Sequence, residues 1–149
     1  MSLIGYALRT AKQYYDDKTY NHALRVATFV AEDPMIPEDK QDVCIALAIM
    51  HDLLEDTKYE LKELEKVDLE QGYRFTHIDK EHFIYCLRLI TKSKDDEYIT
   101  YIKSIRRYCV KYPEAYWVKL ADMKDHLLQT NTLTDKLKEK YLKALPYLL

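Results

Sequence analysis

Glycine is scarce in this sequence: the 149 residues include two, Gly5 and Gly72. Average usage is about 7%. With so few glycines, the chain has no glycine-rich phosphate loop and no dinucleotide-binding fingerprint. Tight hairpin turns also favour glycine, so a hairpin-rich β fold is disfavoured.

Cysteines and long apolar runs are equally sparse. The three cysteines, Cys44, Cys86 and Cys109, form no C-x-x-C pair. An odd number without a pairing pattern indicates a reducing compartment, so we predict a cytoplasmic protein. The longest uninterrupted apolar run, residues 43–50, is far shorter than the roughly 20 residues that span a bilayer. The amino terminus turns polar too early for a secretory signal, so we predict no membrane association.

A positive charge excess is absent as well. The formal net charge is −2, which argues against nucleic acid as a partner. Hydrophobic residues make up 48% of the chain, enough for a buried core without disulfides. The length predicts a single domain over residues 1–149. The sequence leaves the oligomeric state open.

Apolar residues recur at helical spacing almost throughout the chain. We therefore predict an all-α bundle of seven to eight helices with short connections. We expect Thr57 with Glu60 to form a capping box, and Asp79 and Ser93 to cap later helices. Pro113 suits the start of a helix. Residues 71–73 should form a turn, and the last helix should stop before Pro146.

The segment HDLLEDT, residues 51–57, carries the clearest chemical signal. His51 and Asp52 follow eight apolar residues directly, and a second acidic pair follows three residues later. A buried helix that ends in this way places an imidazole and a carboxylate at the edge of the core. Both are ligands for divalent Mn, Fe, Co, Ni or Zn. The alternative is that His51 and Asp52 only cap the helix.

Two further residues are ambiguous when each is taken alone. His22 near the start of a helix fits an ordinary structural histidine as well as a metal ligand. Asp122 interrupts the apolar segment Trp117-Val-Lys-Leu-Ala, where a carboxylate needs a partner if it is buried. A salt bridge to Lys119 would explain Asp122 about as well as a metal would.

Together these segments resemble a known family. The order His22, His51-Asp52 and Asp122 is similar to the H…HD…D signature of the HD-domain metal-dependent phosphohydrolases. Residues 51–57 resemble the HD-x-x-ED-T motif of the (p)ppGpp hydrolase domains of RelA/SpoT-type enzymes and their small single-domain relatives. Residues 118–122 (VKLAD) and 22–27 (HALRVA) resemble segments of the same group, and the resemblance covers roughly residues 7–128.

The resemblance implies a site residue by residue. The family's four metal ligands fall on His22, His51, Asp52 and Asp122, with Mn²⁺ as the expected metal. Its acidic catalytic pair falls on Glu55 and Asp56, which would orient a water molecule and take its proton. Charged and polar candidates for substrate binding are Lys18, Arg25, Lys92, Lys94, Lys119 and His126.

The sequence departs from the family pattern at two places that bear on the substrate. The family's basic, glycine-bearing loop before the first histidine is replaced by residues 15–21, where Asp16 and Asp17 accompany the one cation, Lys18. His126 stands where the family has an asparagine that faces the ligand.

We therefore predict hydrolysis of a nucleotide, in the manner of a guanosine-3′,5′-bis(diphosphate) 3′-pyrophosphohydrolase. The alternatives are a nucleoside 5′-monophosphate phosphatase of the same family and a helical module that binds metal and nucleotide without turnover. The intact pair Glu55 and Asp56 favours an enzyme over the module. The missing basic loop favours the monophosphate phosphatase.

Overall fold

The computed structural model describes residues 1–70, 74–129 and 131–149, and in these ranges the protein is helical with no β-strand. The predicted all-α fold is confirmed. Seven helices have ten or more residues, and two are single turns. The helices are α1 (Leu3–Tyr14), α2 (Asp17–Glu32), α3 (Glu38–Met50), α4 (Leu53–Asp56), α5 (Leu61–Glu65), α6 (His77–Leu89), α7 (Tyr98–Arg107), α8 (Pro113–Leu128) and α9 (Asp135–Leu148).

Helix α3 is the centre of the bundle. Its second half is apolar on every side and buried from Ala46 to Met50, because α1, α2 and α8 all pack against it. A helix that is hydrophobic all round must be enclosed by other elements. Helices α2 and α8 also pack against each other. The carboxyl-terminal end of α3 therefore lies between α2 and α8.

Helices α7 and α9 form the other main contact, and α9 also packs on α8. The pair rests on the core through residues such as Ile102 and Ala144, which are fully buried. This arrangement brings the last helix of the chain beside α8. None of the described helices is both long and apolar enough to cross a bilayer.

Several predicted helix ends are wrong in detail. Thr57 does not open a helix: its hydroxyl donates to the Leu53 carbonyl and closes α4, and Glu60 precedes α5 without a side-chain cap. Helix α6 is capped by Thr76, with Asp79 as the reciprocal partner of the capping box.

The remaining differences lie near α7 and α9. Helix α7 begins after Glu97 and not at Ser93. Pro146 lies inside α9, in its final turn, where the missing N–H removes a single helical hydrogen bond. The start of α8 at Pro113 agrees with prediction. The turn predicted at residues 71–73 lies outside the described residues.

Candidate metal centre

Three helices bring the four predicted metal ligands to one place. His51 and Asp52 form the junction between α3 and α4, His22 lies on α2, and Asp122 lies in the middle of α8. Nε2 of His51 lies 3.2 Å from Oδ1 of Asp122 and 3.2 Å from Oδ2 of Asp52. Nε2 of His22 lies 2.8 Å from the same Asp122 oxygen and 3.7 Å from Asp52. The structure therefore places two imidazole nitrogens and two carboxylates around one point.

The orientation of the His51 ring is set by the backbone. Its Nδ1 lies 2.5 Å from the Ala48 carbonyl oxygen, which can only accept, so Nδ1 carries the proton. In the neutral ring, Nε2 is then left with its lone pair directed to Asp52 and Asp122. A metal-binding histidine ordinarily shows this arrangement, in which one nitrogen is held by a carbonyl and the other is free to coordinate.

The His22 ring is held in the same manner by Asp125, a residue that the sequence analysis did not select. Nδ1 of His22 lies 2.7 Å from Oδ2 of Asp125, which is 1% exposed. The other oxygen of Asp125 accepts from Nε of Arg25 at 2.9 Å. Asp125 follows Asp122 by three residues on α8, a spacing that places both on one helix face. That spacing is the signal that could have identified it.

Asp122 divides its two oxygens between different partners. Oδ1 faces the two histidines, while Oδ2 accepts from Nζ of Lys119 at 2.8 Å. The sequence left a salt bridge to Lys119 and a metal as alternative partners of Asp122. The structure shows the salt bridge on one oxygen and places two predicted metal ligands, His22 and His51, at the other. One oxygen of Asp122 is thus fixed by a buried ammonium, and the other remains available to a metal.

Electrostatics in the cluster favour the charged forms of its members. Burial lowers the pKa of His51, but the charges of Asp52 and Asp122 outweigh it and hold that pKa well above its usual value. Burial likewise lowers the pKa of His22, but its hydrogen bond to Asp122 and the charge of that carboxylate outweigh burial, so the pKa is raised. For Asp122, burial raises the pKa, yet the Lys119 and His51 charges leave it well below its usual range.

The donor set fits a divalent transition metal. Two imidazole nitrogens with two carboxylates form the mixed N and O set that suits Mn, Fe, Co, Ni or Zn. Carboxylates packed this closely in a mostly buried site need cations. Among the described residues, the ion-pair partners of Asp52, Asp122 and Asp125 are the neighbouring histidines, Lys119 and Arg25. His126 extends the set, since its Nε2 lies 3.2 Å from Oδ1 of Asp122.

The cluster lies between two clefts, which we call the large and the small cleft. The large cleft, about 340 Å³, is formed mainly by α2, α4 and the end of α8. It is lined by Asp16, Lys18, Thr19, His22, Arg25, Asp52, Asp56, Asp125, His126, Gln129 and Thr132.

The small cleft, about 90 Å³, lies towards α7 and α9. Its lining residues are His51, Asp52, Glu55, Ile90, Lys92, Tyr98, Tyr101, Lys119, Asp122, His126, Lys140 and Tyr141. Asp52 and His126 line both clefts, so the predicted metal ligands lie at the wall between them.

The two members of the predicted acidic pair face different clefts. Glu55 lines the small cleft, where its Oε1 accepts from the backbone N–H of Lys92 at 2.8 Å. Asp56 lines the large cleft. Burial, followed by the charges of Asp52 and Glu55, raises the pKa of Asp56 to about 6. A carboxyl with a pKa near neutrality is well suited to accept and release a proton at physiological pH.

The predicted substrate-binding residues have different positions. Lys18 and Arg25 line the large cleft, with Arg25 anchored by Asp125. Lys92 lines the small cleft, whereas Lys94 is exposed and lines neither cleft. Segment 15–21 is not a loop: Asp16 caps α2, and the helix begins at Asp17.

Lys119 and His126 also differ from simple surface cations. Lys119 is buried, and its ammonium donates a hydrogen bond to Asp122. The same ammonium lies over the rings of Tyr98 and Tyr101. His126 is partly exposed at the shared wall and stacks on Tyr141, with ring centroids 4.9 Å apart.

Two residues of the small cleft come from α9 and were not predicted. Lys140 places its ammonium 4.3 Å from the centroid of the Tyr98 ring. Burial, followed by the charge of Lys119, lowers the pKa of Lys140. Tyr141 completes this wall by stacking on His126. The family resemblance ended near residue 128, so no motif pointed to α9.

Comparisons with known proteins agree with the fold. The sequence matches the HD domain family over residues 19–140. A solved structure described as a metazoan ortholog of SpoT that hydrolyses ppGpp is similar, with a TM-score of 0.68 and 21% sequence identity. The alignment covers 99% of this chain and 86% of that one. No curated protein sequence matches the chain.

Proposed function

The chain belongs to the HD-domain family, a family of metal-dependent hydrolases, and we propose that its substrate is guanosine-3′,5′-bis(diphosphate), ppGpp, with Mn²⁺ as the metal. The observation that carries this proposal is the meeting of His22, His51, Asp52 and Asp122 at the wall between two clefts. The metazoan SpoT ortholog, which hydrolyses ppGpp, has the same fold.

The four converging residues would hold the metal, with Asp125 and the Ala48 carbonyl orienting the two imidazoles. When bound, a divalent cation there supplies Lewis-acid polarisation of a phosphate oxygen and makes water a better nucleophile. Both histidines must be neutral to coordinate a metal, so each imidazolium would lose its Nε2 proton on metal binding.

Phosphate binding is assigned to the small cleft. Three lysines line it, Lys92, Lys119 and Lys140, and the acidic pair contributes Glu55. Lys119 is fixed by Asp122, whereas Lys140 is attached to an exposed helix face and can approach a phosphate. The cleft is small, which suits a phosphoryl group better than a whole nucleotide. The nucleoside would then lie in the large cleft.

Proton transfer is assigned to Asp56 and orientation to Glu55. Asp56 lies beside Asp52 in the large cleft, and its pKa of about 6 leaves it able to accept a proton from water. Glu55 is fixed by the Lys92 N–H and faces the phosphate side. The water oxygen attacks the phosphorus that is bonded to the ribose 3′ oxygen. The bond between that oxygen and phosphorus breaks, which gives GDP and pyrophosphate.

The carboxylates of the large cleft oppose a polyanionic substrate. Asp16 and Asp56 accompany Lys18 and Arg25 there, and Arg25 is already paired with Asp125. We therefore expect a KM for ppGpp that is higher than the family pattern, with its basic loop, implies. The same feature favours the second candidate, a nucleoside 5′-monophosphate phosphatase, because a monophosphate brings less negative charge into the site.

A side-by-side assay separates the two candidates. The full chain with Mn²⁺ is incubated with ppGpp, GTP, GMP and dAMP, and pyrophosphate and orthophosphate are measured separately. The proposal predicts pyrophosphate and GDP from ppGpp. Orthophosphate from the monophosphates, with ppGpp left intact, would assign the chain to the phosphatase alternative.

A further inference from the structure

A second cluster of donor side chains lies apart from both clefts, where α6 meets the first turn of α8. It consists of His82 and Cys86 on α6 and Glu114 on α8, and their ligand atoms all lie within 4.8 Å of one another. Nε2 of His82 lies 2.9 Å from Oε2 of Glu114. His82 and Cys86 are four residues apart, so one face of α6 carries both.

Glu114 has an oxygen without a protein partner. The residue is 3% exposed. Its Oε2 interacts with His82 and with Nζ of Lys40, 3.7 Å away. Its Oε1 is buried and receives no hydrogen bond from the part of the chain that the structure describes. Buried polar atoms of this kind are uncommon in folded proteins, and each calls for an explanation such as an ion.

Cys86 supplies a sulfur donor in the same place. It is fully buried. Burial raises the pKa of its thiol well above the usual range, while a backbone hydrogen bond from Ala115 acts in the opposite direction and favours the thiolate. The sulfur thus has a hydrogen-bond donor at the start of α8, where the helix dipole also favours negative charge. Metal coordination removes the thiol proton outright.

The cluster is accessible from solvent on one side. A cleft of about 280 Å³ reaches His82 and Glu114, and its other lining residues include Lys40, Asp39 and Asp79. The His82 side chain is 34% exposed, and the Lys40 side chain is 41% exposed. A long, half-exposed lysine can move towards water when a cation takes its place beside the carboxylate.

We propose that His82 Nε2, Cys86 Sγ and the Glu114 carboxylate form a second metal site that binds Zn²⁺, with water as the fourth ligand. A set of one nitrogen, one sulfur and one oxygen matches zinc, which accepts all three donor types in tetrahedral sites. The hydrolytic site has no sulfur donor among the residues that surround it. Zinc here links α6 to α8 and displaces the Cys86 proton to solvent.

Cobalt reports on this site selectively, because a near-ultraviolet thiolate-to-Co²⁺ charge-transfer band requires a bond between sulfur and the metal. The full chain carrying Cys109→Ala, which removes the partly exposed thiol, is freed of metal and titrated with Co²⁺. The band should stop growing by about two equivalents of Co²⁺ per chain, because the hydrolytic site also accepts Co²⁺. It should disappear in Cys86→Ala and in His82→Ala, and it should remain in Cys44→Ala, the matched buried control.

The absence of the band in the parent chain would overturn the proposal and leave an ion network of His82, Glu114 and Lys40. Survival of the band in Cys86→Ala would overturn it as well. If circular dichroism shows that Cys86→Ala does not fold, His82→Asn replaces it as the test, because the partly exposed His82 ring can be changed with less effect on the core. The band should then be absent in folded His82→Asn.

Thermal unfolding with Zn²⁺ separates this site from the hydrolytic one. In Asp52→Ala, Zn²⁺ should raise the midpoint by several degrees through the second site. The double variant Asp52→Ala/His82→Ala should show no such shift, and an equal shift in both proteins would contradict the assignment.

Discussion

His22 and Asp125 are joined by a hydrogen bond of 2.7 Å between ring Nδ1 and carboxylate Oδ2, across 103 positions of sequence. This contact leaves the opposite nitrogen of the ring facing Asp122 at 2.8 Å. Arg25 holds the other oxygen of Asp125, so the carboxylate is fixed on both sides. Asp125 therefore determines which His22 nitrogen can meet a metal.

The first prediction concerns this positioning carboxylate. Asp125→Asn should weaken metal binding about 10- to 100-fold, the usual cost of losing a carboxylate behind a histidine ligand. The dissociation constant is measured by competition with a chelator. Asp95→Asn, at an exposed position between α6 and α7, serves as the control and should bind as the wild type does. Equal affinity in both variants would show that Asp125 does not orient the ring.

The second prediction separates the acidic pair from the ligands. Asp56→Asn should lower kcat about 100- to 10,000-fold, the range expected when a general base is lost. Glu55→Ala should also slow hydrolysis, since Glu55 is fixed beside the phosphate side of the site. Both variants should retain bound metal by elemental analysis. Full activity in Glu55→Ala would remove Glu55 from the assigned pair.

The third prediction tests the contribution of α9. Lys140→Ala should raise KM for ppGpp about tenfold, which corresponds to about 1.4 kcal/mol, with a smaller effect on kcat. Lys138→Ala, on the same helix and exposed outside the small cleft, is the matched control. Steady-state kinetics of the two variants decide the point. An unchanged KM in Lys140→Ala would place the phosphate elsewhere.

The fourth prediction is a pH dependence of the metal-free protein. The pKa values of His22 and His51 are raised by Asp122 and Asp52 despite burial. The charged histidines therefore contribute stability that is fully present below the unfolded value of about 6.5 and is lost as pH rises through the folded values. Ionisation of Asp56, whose pKa is raised to about 6, acts in the same direction at lower pH.

The thermal midpoint of chelator-treated protein should accordingly fall as the pH rises from about 6.5 into the mildly alkaline range. The Mn²⁺-loaded protein should lose less over this interval, because metal affinity grows as the histidines give up their protons. A chelator-treated protein whose midpoint rises over the same interval would contradict the assigned pKa directions.

Residues close together in sequence made much of the fold predictable. The eight apolar residues before His51 form the buried end of α3, and the periodic spacing around Val26 and Ile102 corresponds to α2 and α7. The capping prediction at Thr57 failed because its hydroxyl can either start a helix or end one. Thr57 bonds back to Leu53 and ends a helix, and nothing in its immediate sequence distinguishes that from starting one.

The site was predictable as far as the motifs reached. Asp125 belongs to none of the motifs, although its spacing from Asp122 places both on one helix face. Lys140 and Tyr141 depend on the packing of α9 against α7 and α8, which is a tertiary contact without a local signature. The burial of Lys119 also depends on a tertiary contact, because its ammonium lies over the rings of Tyr98 and Tyr101 of α7.

The most direct test of the account is the manganese content of Asp52→Ala. Wild-type chain that has been stripped, reloaded with Mn²⁺ and passed over a desalting column should hold about one Mn²⁺ per chain by elemental analysis. Asp52→Ala should hold close to none and show no hydrolysis, while Asp95→Asn should match the wild type in both. Wild-type manganese content in a folded Asp52→Ala would contradict the central claim that His22, His51, Asp52 and Asp122 hold the metal.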